Sequence, residues 1–192
     1  VSELRNVVLV GHGGVGKTSL ADLMLFESGE KKKLGSPDEG TSALDVDDEE
    51  KARHHSVTSH ICHIEHNGAR INLLDAPGMP DFIGHAIGAL RAAETALITI
   101  SAKAGIEANC RRAFQHAGNR GLGRFVVVNK CDEDDVDLPL VVESIKEQFG
   151  PACALLNVPI GVGPNISGVV STVRLPDPVP DGVIFDPALS NQ

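Results

Sequence analysis

Residues 7–18 read VVLVGHGGVGKT, an apolar run followed by the pattern G-x-x-x-x-G-K-T. A short apolar run bounded by glycine is typical of a buried strand. The apolar positions Leu20, Leu23, Met24 and Leu25 then indicate a helix. A strand, a glycine-rich turn and a helix in this order predict a P-loop, which wraps phosphate groups.

The pattern assigns a role to the positions of this loop. Backbone N–H groups converge on phosphate oxygens, Lys17 reaches the β- and γ-phosphates, and the Thr18 hydroxyl coordinates Mg²⁺. The positive end of the following helix lies behind the anion. An unrelated glycine-rich turn is the alternative, which the flanking strand and helix disfavour. The predicted phosphate-binding residues are Gly13, Gly14, Val15, Gly16, Lys17, Thr18 and Ser19.

A second motif, Asp75-Ala76-Pro77-Gly78, follows the strand-like run 69–74. Asp75 can hold Mg²⁺ through water at the strand end. Gly78 can offer its backbone N–H to a γ-phosphate, because no side chain blocks close approach. We therefore expect Lys17, Asp75 and Gly78 to form the catalytic set.

A third motif, Asn129-Lys130-Cys131-Asp132, follows the strand-like run 125–128. The carboxylate of Asp132 suits the N1–H and 2-amino donors of guanine, whereas adenine presents the reverse pattern. Asn129 and Lys130 would brace the loop and pack over the base. Ligands of parallel α/β sheets bind outside the carboxyl ends of the strands, where all three motifs fall, so GTP is the predicted nucleotide. The alternative is that Asp132 only opens a solvated acidic run.

The composition is that of an ordinary globular chain, with 192 residues, 42% hydrophobic and 22% charged. No apolar run approaches the ~20 residues that span a bilayer, and we see no signal-like segment, so we expect a cytoplasmic location. Four scattered cysteines fit a reducing compartment. The net charge of −9 argues against a direct grip on nucleic acid.

Basic and histidine clusters are interpreted as solvated. His60, His63 and His66 lie three residues apart, whereas a strand places every second residue on one face. Their rings therefore do not converge on a metal, and solvated strand positions are expected. The lysines at 31–33 are expected to lie in a solvated loop.

Strand and helix patterns alternate along the chain. This alternation, with motifs at strand ends, predicts an α/β fold with a mostly parallel sheet and helices on both faces. Asn67-Gly68 predicts a hairpin. The polar stretch 29–56 has no such pattern and is expected to be disordered or functional. Strands are expected at 6–10, 57–66, 69–74, 96–100, 124–129, 154–158 and 168–173, and helices at 18–28, 82–94, 106–117 and 138–149.

Together these motifs resemble the N-terminal G domain of translational GTPases, in particular elongation factor G and its paralogues. The resemblance covers about residues 5–175 and includes Asp81-Phe82 after the second motif. It implies a P-loop fold, GTP and GDP as ligands, Mg²⁺, GTP hydrolysis, and the ribosome as partner of the full-length protein. A monomer without a membrane partner is expected.

The resemblance also divides the chain. Residues 1–150 match the GTP-binding core, and 151–192 match the start of the insert subdomain of elongation factor G, followed by an extended proline-rich stretch at 175–192. The base-binding S-A-K/L loop that follows the insert in this family is missing. The chain is therefore expected to be a fragment with an incomplete G domain.

Residues 53–58, RHHSVT, resemble the family's switch I, usually R-G-I-T-I-T. Ser56 then takes the place of the Mg²⁺-coordinating threonine, and its hydroxyl keeps coordination possible. Thr58 is the alternative assignment, and a third is that Ser56 is merely an exposed polar residue. The implied Mg²⁺ ligands are Thr18, Ser56 and Asp75.

Two further departures from the family pattern bear on function. Gly14 replaces a frequent aspartate, which favours a paralogue. Met79 stands where many members have the histidine that orients the attacking water, and a thioether is a weak acceptor. Hydrolysis is therefore expected to be slow or partner-dependent, with His85 as a substitute candidate. Rival functions are a non-hydrolysing nucleotide-binding scaffold and a ribosomal-protection-type factor, beside translocation or ribosome disassembly.

Overall fold

The computed structural model describes residues 3–37, 39–44, 47–53 and 55–184. They fall into two compact units. One combines the chain up to Ile100 with Glu107–Val127, and the other combines Ser101–Ile106 with the chain from Val128 onward. The elements are β1 (Glu3–Gly11), α1 (Lys17–Glu27), α2 (Asp48–Arg53), β2 (His60–His66), β3 (Ala69–Asp75), α3 (Ile83–Leu90), β4 (Thr95–Ser101), α4 (Ala108–Asn119), β5 (Gly123–Asn129), α5 (Leu138–Phe149), β6 (Asn157–Ile160) and β7 (Gly168–Ser171).

Five strands form one sheet in the order β2-β3-β1-β4-β5. β1 runs parallel to both β3 and β4, and β2 is antiparallel to β3. The predicted hairpin turn joins β2 and β3, where Asn67 and Gly68 have φ values of 49° and 79°. Positive φ at both central residues is what a type I′ hairpin turn requires. The predicted α/β fold with a mostly parallel sheet is therefore confirmed.

The central strand β1 is buried on both faces from Val8 onward. Leu9 packs with Leu73 and the apolar side chains of α1. Val8 and Val10 point to the opposite face, because side chains alternate along a strand, and they are buried too. α3 and α4 contact β1 as well. The parallel strands β1 and β3 end at Gly11 and Asp75, which places the first two motifs at one edge of the sheet.

The stretch 29–56 contains more structure than expected. It includes α2, and Leu44 is 3% exposed and belongs to the core cluster around Leu9. Lys31 was expected to be solvated, but its Nζ lies 2.9 Å from Oδ1 of the buried Asp22, which also accepts the Ala43 N–H at 3.1 Å. A buried carboxylate requires such partners. Residues 38, 45, 46 and 54 lie outside the described part.

Several predicted boundaries are wrong. The helix expected at 82–94 is a 3-10 turn at Pro80–Phe82 followed by α3, which ends at Leu90. The strand expected from residue 57 begins at His60, because the Glu50 carboxylate accepts the N–H groups of Val57 and Thr58. The helix expected at 138–149 matches α5.

The second unit contains the hairpin of β6 and β7, which pair antiparallel. The strand expected at 154–158 begins later, at Asn157, and the strand expected at 168–173 ends earlier, at Ser171. The described residues of the proline-rich stretch, 175–184, contain no helix, and 185–192 lie outside the described part. Within the described chain, every helix is too short or too polar to cross a bilayer.

Candidate functional site

The turn between β1 and α1 has the backbone shape that its glycines allow. Gly14 and Gly16 have φ values of 77° and 90°, in the left-handed region that residues with a side chain rarely adopt. α1 begins directly afterwards at Lys17, whose Nζ donates a hydrogen bond to the His12 carbonyl at 2.7 Å. The lysine side chain therefore folds back over the turn.

Lys17 is an unusually buried ammonium group, with a residue exposure of 6%. Burial lowers the pKa of Lys17, and the nearby Asp75 carboxylate acts in the opposite direction. The charged form of a buried amine is unfavourable without a counter-charge. An anion held by the turn would supply that charge.

Three oxygen-bearing side chains from three separate segments meet beside this lysine. Thr18 Oγ1 donates to Asp75 Oδ2 at 2.6 Å, and it lies 3.3 Å from Ser56 Oγ. Thr58 points elsewhere, since its Oγ1 lies 3.3 Å from His60 Nε2. Two hydroxyls and a carboxylate are hard oxygen donors of the kind that Mg²⁺ prefers. The donor set therefore fits a magnesium ion, and it includes Ser56 rather than Thr58.

The segment after Asp75 lies against the P-loop. Gly78 is buried, and a Cβ there would collide with Lys17 Nζ and with the His12 backbone. Its carbonyl accepts a hydrogen bond from Asn109 Nδ2 at 2.8 Å. Met79 also touches the loop, because a Cβ on Gly13 would lie 2.7 Å from its Sδ. Only a glycine fits at Gly78 without displacing the lysine.

The third motif lies in the second unit, on the turn after β5. Lys130 has a φ of 58°, a left-handed conformation that is uncommon for residues with a side chain. The Asn129 carbonyl accepts the Ala102 N–H at 2.8 Å, which ties the turn to the segment after β4. Asp132 is exposed, and Lys130 Nζ lies 3.8 Å from Glu133 Oε1. The three expected guanine-binding residues thus lie on one turn, whose backbone conformation is set by the left-handed Lys130 and the Asn129 hydrogen bond.

Two buried polar residues that the sequence did not single out support these segments. Asn109, 4% exposed, holds the Gly78 carbonyl. Glu50, fully buried, accepts the N–H groups of Val57 and Thr58 at 2.8 and 3.2 Å through Oε1, next to Ser56. A lone asparagine has no sequence pattern that marks it, and Glu50 belongs to an acidic run that is typical of a solvated segment.

Comparison with known proteins identifies the family of the chain. The family described as "Elongation factor Tu GTP binding domain" matches residues 2–180. The chain is 32% identical over 174 residues to bovine mitochondrial ribosome-releasing factor 2, covering 91% of this chain and 22% of that protein. It is 31% identical over 175 residues to elongation factor G 2 of Streptomyces coelicolor, covering 91% and 26%.

Structural comparison gives the same result. A crystal structure of a protein from Thermus thermophilus superposes with a TM-score of 0.84 at 36% identity, over 90% of this chain and 26% of that one. The chain thus spans about a quarter of the length of these relatives. The predicted resemblance is confirmed, and the chain belongs to the translational GTPases, as a GTP-binding domain of the elongation factor Tu type.

Proposed function

We propose that this chain is the GTP-binding module of an elongation factor G-like protein that acts on the ribosome and alternates between GTP- and GDP-bound states. The observation that carries this proposal is the meeting of Thr18, Ser56 and Asp75 beside the buried Lys17. Side chains from three segments that are far apart in the sequence form one set of oxygen donors next to one cation. A triphosphate with Mg²⁺ matches that arrangement of charges.

In this proposal the P-loop residues 13–19 bind the phosphates. The positive charge of Lys17 offsets negative charge on the phosphate oxygens, while Thr18, Ser56 and Asp75 hold Mg²⁺, which neutralises the remainder. Gly78 donates its N–H toward the γ-phosphate, and Asn109 positions that peptide through the Gly78 carbonyl. Loss of the γ-phosphate would release Ser56 and Gly78, which is how such switches report the nucleotide state.

Guanine selection is proposed for the turn after β5. The exposed Asp132 carboxylate is available to accept from the two donors of guanine. Asn129 supports the turn through the Ala102 hydrogen bond. The stem of Lys130 can cover an aromatic base while its ammonium stays near solvent.

Hydrolysis by this module is proposed to be slow or dependent on a group from a partner. Met79 occupies the place next to the P-loop where an imidazole would be expected, and its thioether accepts a hydrogen bond from water only weakly. His85 is exposed on α3, with its carbonyl accepting from Ser59 Oγ at 3.4 Å. The same methionine favours the second candidate, a nucleotide-binding scaffold that does not hydrolyse GTP.

The partner is proposed to be the ribosome, reached through the full-length protein. The similar proteins are named as elongation factors and ribosome-releasing factors, so translocation and ribosome disassembly are both compatible roles, as is ribosomal protection. The cytoplasmic location and the monomeric state remain predictions, and one group of relatives is named mitochondrial. We further propose that residues 151–192 begin an insert subdomain.

Single-turnover GTP hydrolysis by the full-length protein, with and without ribosomes, tests this function. We expect very slow hydrolysis by the protein alone and acceleration by ribosomes. Fast hydrolysis without ribosomes would reject the role proposed for Met79. Absence of hydrolysis in both conditions, with GTP still bound, would favour the scaffold.

A further inference from the structure

Three potential metal ligands meet outside the nucleotide site. Asp47 precedes α2, Glu50 lies within α2, and His60 begins β2. One ligand atom from each residue lies within 4.8 Å of the other two. The sequence predicted that His60 is a solvated strand position, but its side chain is only 13% exposed. An imidazole therefore lies beside two carboxylates.

The two oxygens of the fully buried Glu50 have different surroundings. Oε1 accepts the N–H groups of Val57 and Thr58. Oε2 receives no hydrogen bond from the described residues, although it lies 3.3 Å from His60 Nε2, which is an ion-pair distance. Distance alone does not satisfy a buried oxygen, so Oε2 still lacks a hydrogen-bond donor within the described part of the chain. A buried anionic oxygen without a donor is unfavourable, and a cation would remove that penalty.

We propose that Asp47, Glu50 and His60 bind a divalent transition-metal ion of the zinc type, separate from the Mg²⁺ of the nucleotide site. An imidazole nitrogen suits zinc and its neighbours in the first transition row, whereas Mg²⁺ and Ca²⁺ favour sets made only of oxygens. Three protein ligands and one water complete a tetrahedral zinc site. The exposed Asp47 gives the ion a route from solvent.

Such an ion would join α2 to the first residue of β2. The chain between these two ligand positions carries Ser56, which contacts Thr18, so the ion would restrain the position of Ser56 beside Thr18. This consequence rests on the proposed function, whereas metal binding itself does not. In its presence the GTP-bound arrangement of Ser56 would form with a smaller loss of conformational entropy.

The test is a Zn²⁺ titration of the full-length protein by calorimetry, with saturating Mg²⁺ and GDP so that the nucleotide site is filled. We expect Asp47→Asn, Glu50→Gln and His60→Gln each to lower the affinity for one zinc ion per protein by at least about tenfold. His66→Gln is the matched control, because His66 is exposed on the same strand and does not belong to the cluster. Zinc binding at any other place, including the cysteines, contributes the same heat in all variants.

Zinc binding that none of the three substitutions changes, or that His66→Gln weakens equally, would overturn the proposal. Asp47 is exposed, so Asp47→Asn decides the result even if Glu50→Gln does not fold. The zinc titration is repeated with saturating Mg²⁺ but without GDP. If the protein binds zinc at these three residues but binds no guanine nucleotide, the metal site is supported and the proposed function is rejected.

Discussion

The Sδ atom of Met79 lies 2.7 Å from the position that a Cβ would occupy on Gly13. Met79 is the first residue after the motif Asp75-Ala76-Pro77-Gly78, and its thioether therefore covers the P-loop at Gly13. A methionine in that place is compatible with phosphate binding, because it fills space without adding charge. It is poorly suited to orient a water molecule, since sulfur accepts hydrogen bonds weakly.

Met79→His is expected to raise the single-turnover rate of GTP hydrolysis by about tenfold or more, within the range that a positioned acid–base group contributes. Met79→Leu, which keeps the volume but removes the sulfur, should leave the rate unchanged. Rapid-quench measurement with the full-length protein gives both rates. An unchanged rate in Met79→His would favour the non-hydrolysing scaffold instead.

Ser56→Ala is expected to increase the Mg²⁺ concentration needed for half-maximal GTP binding, because it removes the hydroxyl beside Thr18 Oγ1. Loss of one ligand or hydrogen bond should weaken binding by about five- to tenfold. Thr58→Ala is the matched control, since that hydroxyl contacts His60 instead. If Thr58→Ala has the larger effect, Thr58 is the switch I ligand.

Gly78→Ala is expected to weaken GTP binding by at least about tenfold, because the added methyl group displaces Lys17 Nζ, a charged hydrogen-bond donor. Fluorescent-nucleotide titration measures the change. Gly84→Ala provides the control, since a Cβ there meets open space on α3. That substitution should stabilise the protein by up to about 1 kcal/mol. Equal nucleotide affinity in Gly78→Ala and wild type would contradict the close approach.

Lys17→Met should abolish nucleotide binding yet stabilise the nucleotide-free protein at pH 7, since a neutral side chain removes the cost of burying the ammonium charge. The pKa of Lys17 is lowered in the folded state from its ordinary 10.5. The unfolded chain therefore holds more protons between these two values, and wild-type stability rises with pH across that window.

Urea unfolding of both proteins from pH 7 toward 10.5 checks this relationship. The advantage of the methionine variant should shrink as pH rises through the folded-state pKa of Lys17. An advantage that stays constant or grows with pH would mean that burial of the charge is not its cause.

The sequence predicted most of the fold because its signals are local. The G-K-T pattern, the Asn67-Gly68 turn and the helix at 138–149 each follow from a few neighbouring residues. The oxygen donors Thr18 and Asp75 were also predicted, since parallel strands bring their carboxyl ends to one edge. Their contact at 2.6 Å brings the two side chains together, and their binding of Mg²⁺ stays a prediction.

The residues wrongly predicted to be solvated are those that lie beside a buried carboxylate from another part of the chain. Lys31 and His60 both belong to polar runs that read as solvated, yet each lies beside a buried carboxylate, Asp22 and Glu50 respectively. Neither pair can be recognised from sequence periodicity. A single charged contact between residues 9 or 10 positions apart follows neither the helix nor the strand repeat. For the same reason Asn109, which acts through the backbone of Gly78, could not be identified from the sequence.

Asp132→Asn should weaken GDP binding by about 10- to 100-fold, because hydrogen bonds to a charged acceptor contribute about 1.5–3 kcal/mol. The amide replaces one acceptor with a donor, so affinity should shift toward xanthosine diphosphate, which carries a carbonyl where guanine has its amino group. Competition binding with both nucleotides measures the shift. Equal weakening for the two bases would mean that Asp132 acts only on the shape of the turn.

Calorimetric titration of the full-length protein with GDP, GTP and ATP in the presence of Mg²⁺ tests the central claim most directly. The P-loop geometry and the Asp132 turn together predict saturable heat with both guanine nucleotides and none with ATP. Equal binding of ATP would contradict the base assignment, and an absence of heat with GDP and GTP would contradict the nucleotide site itself.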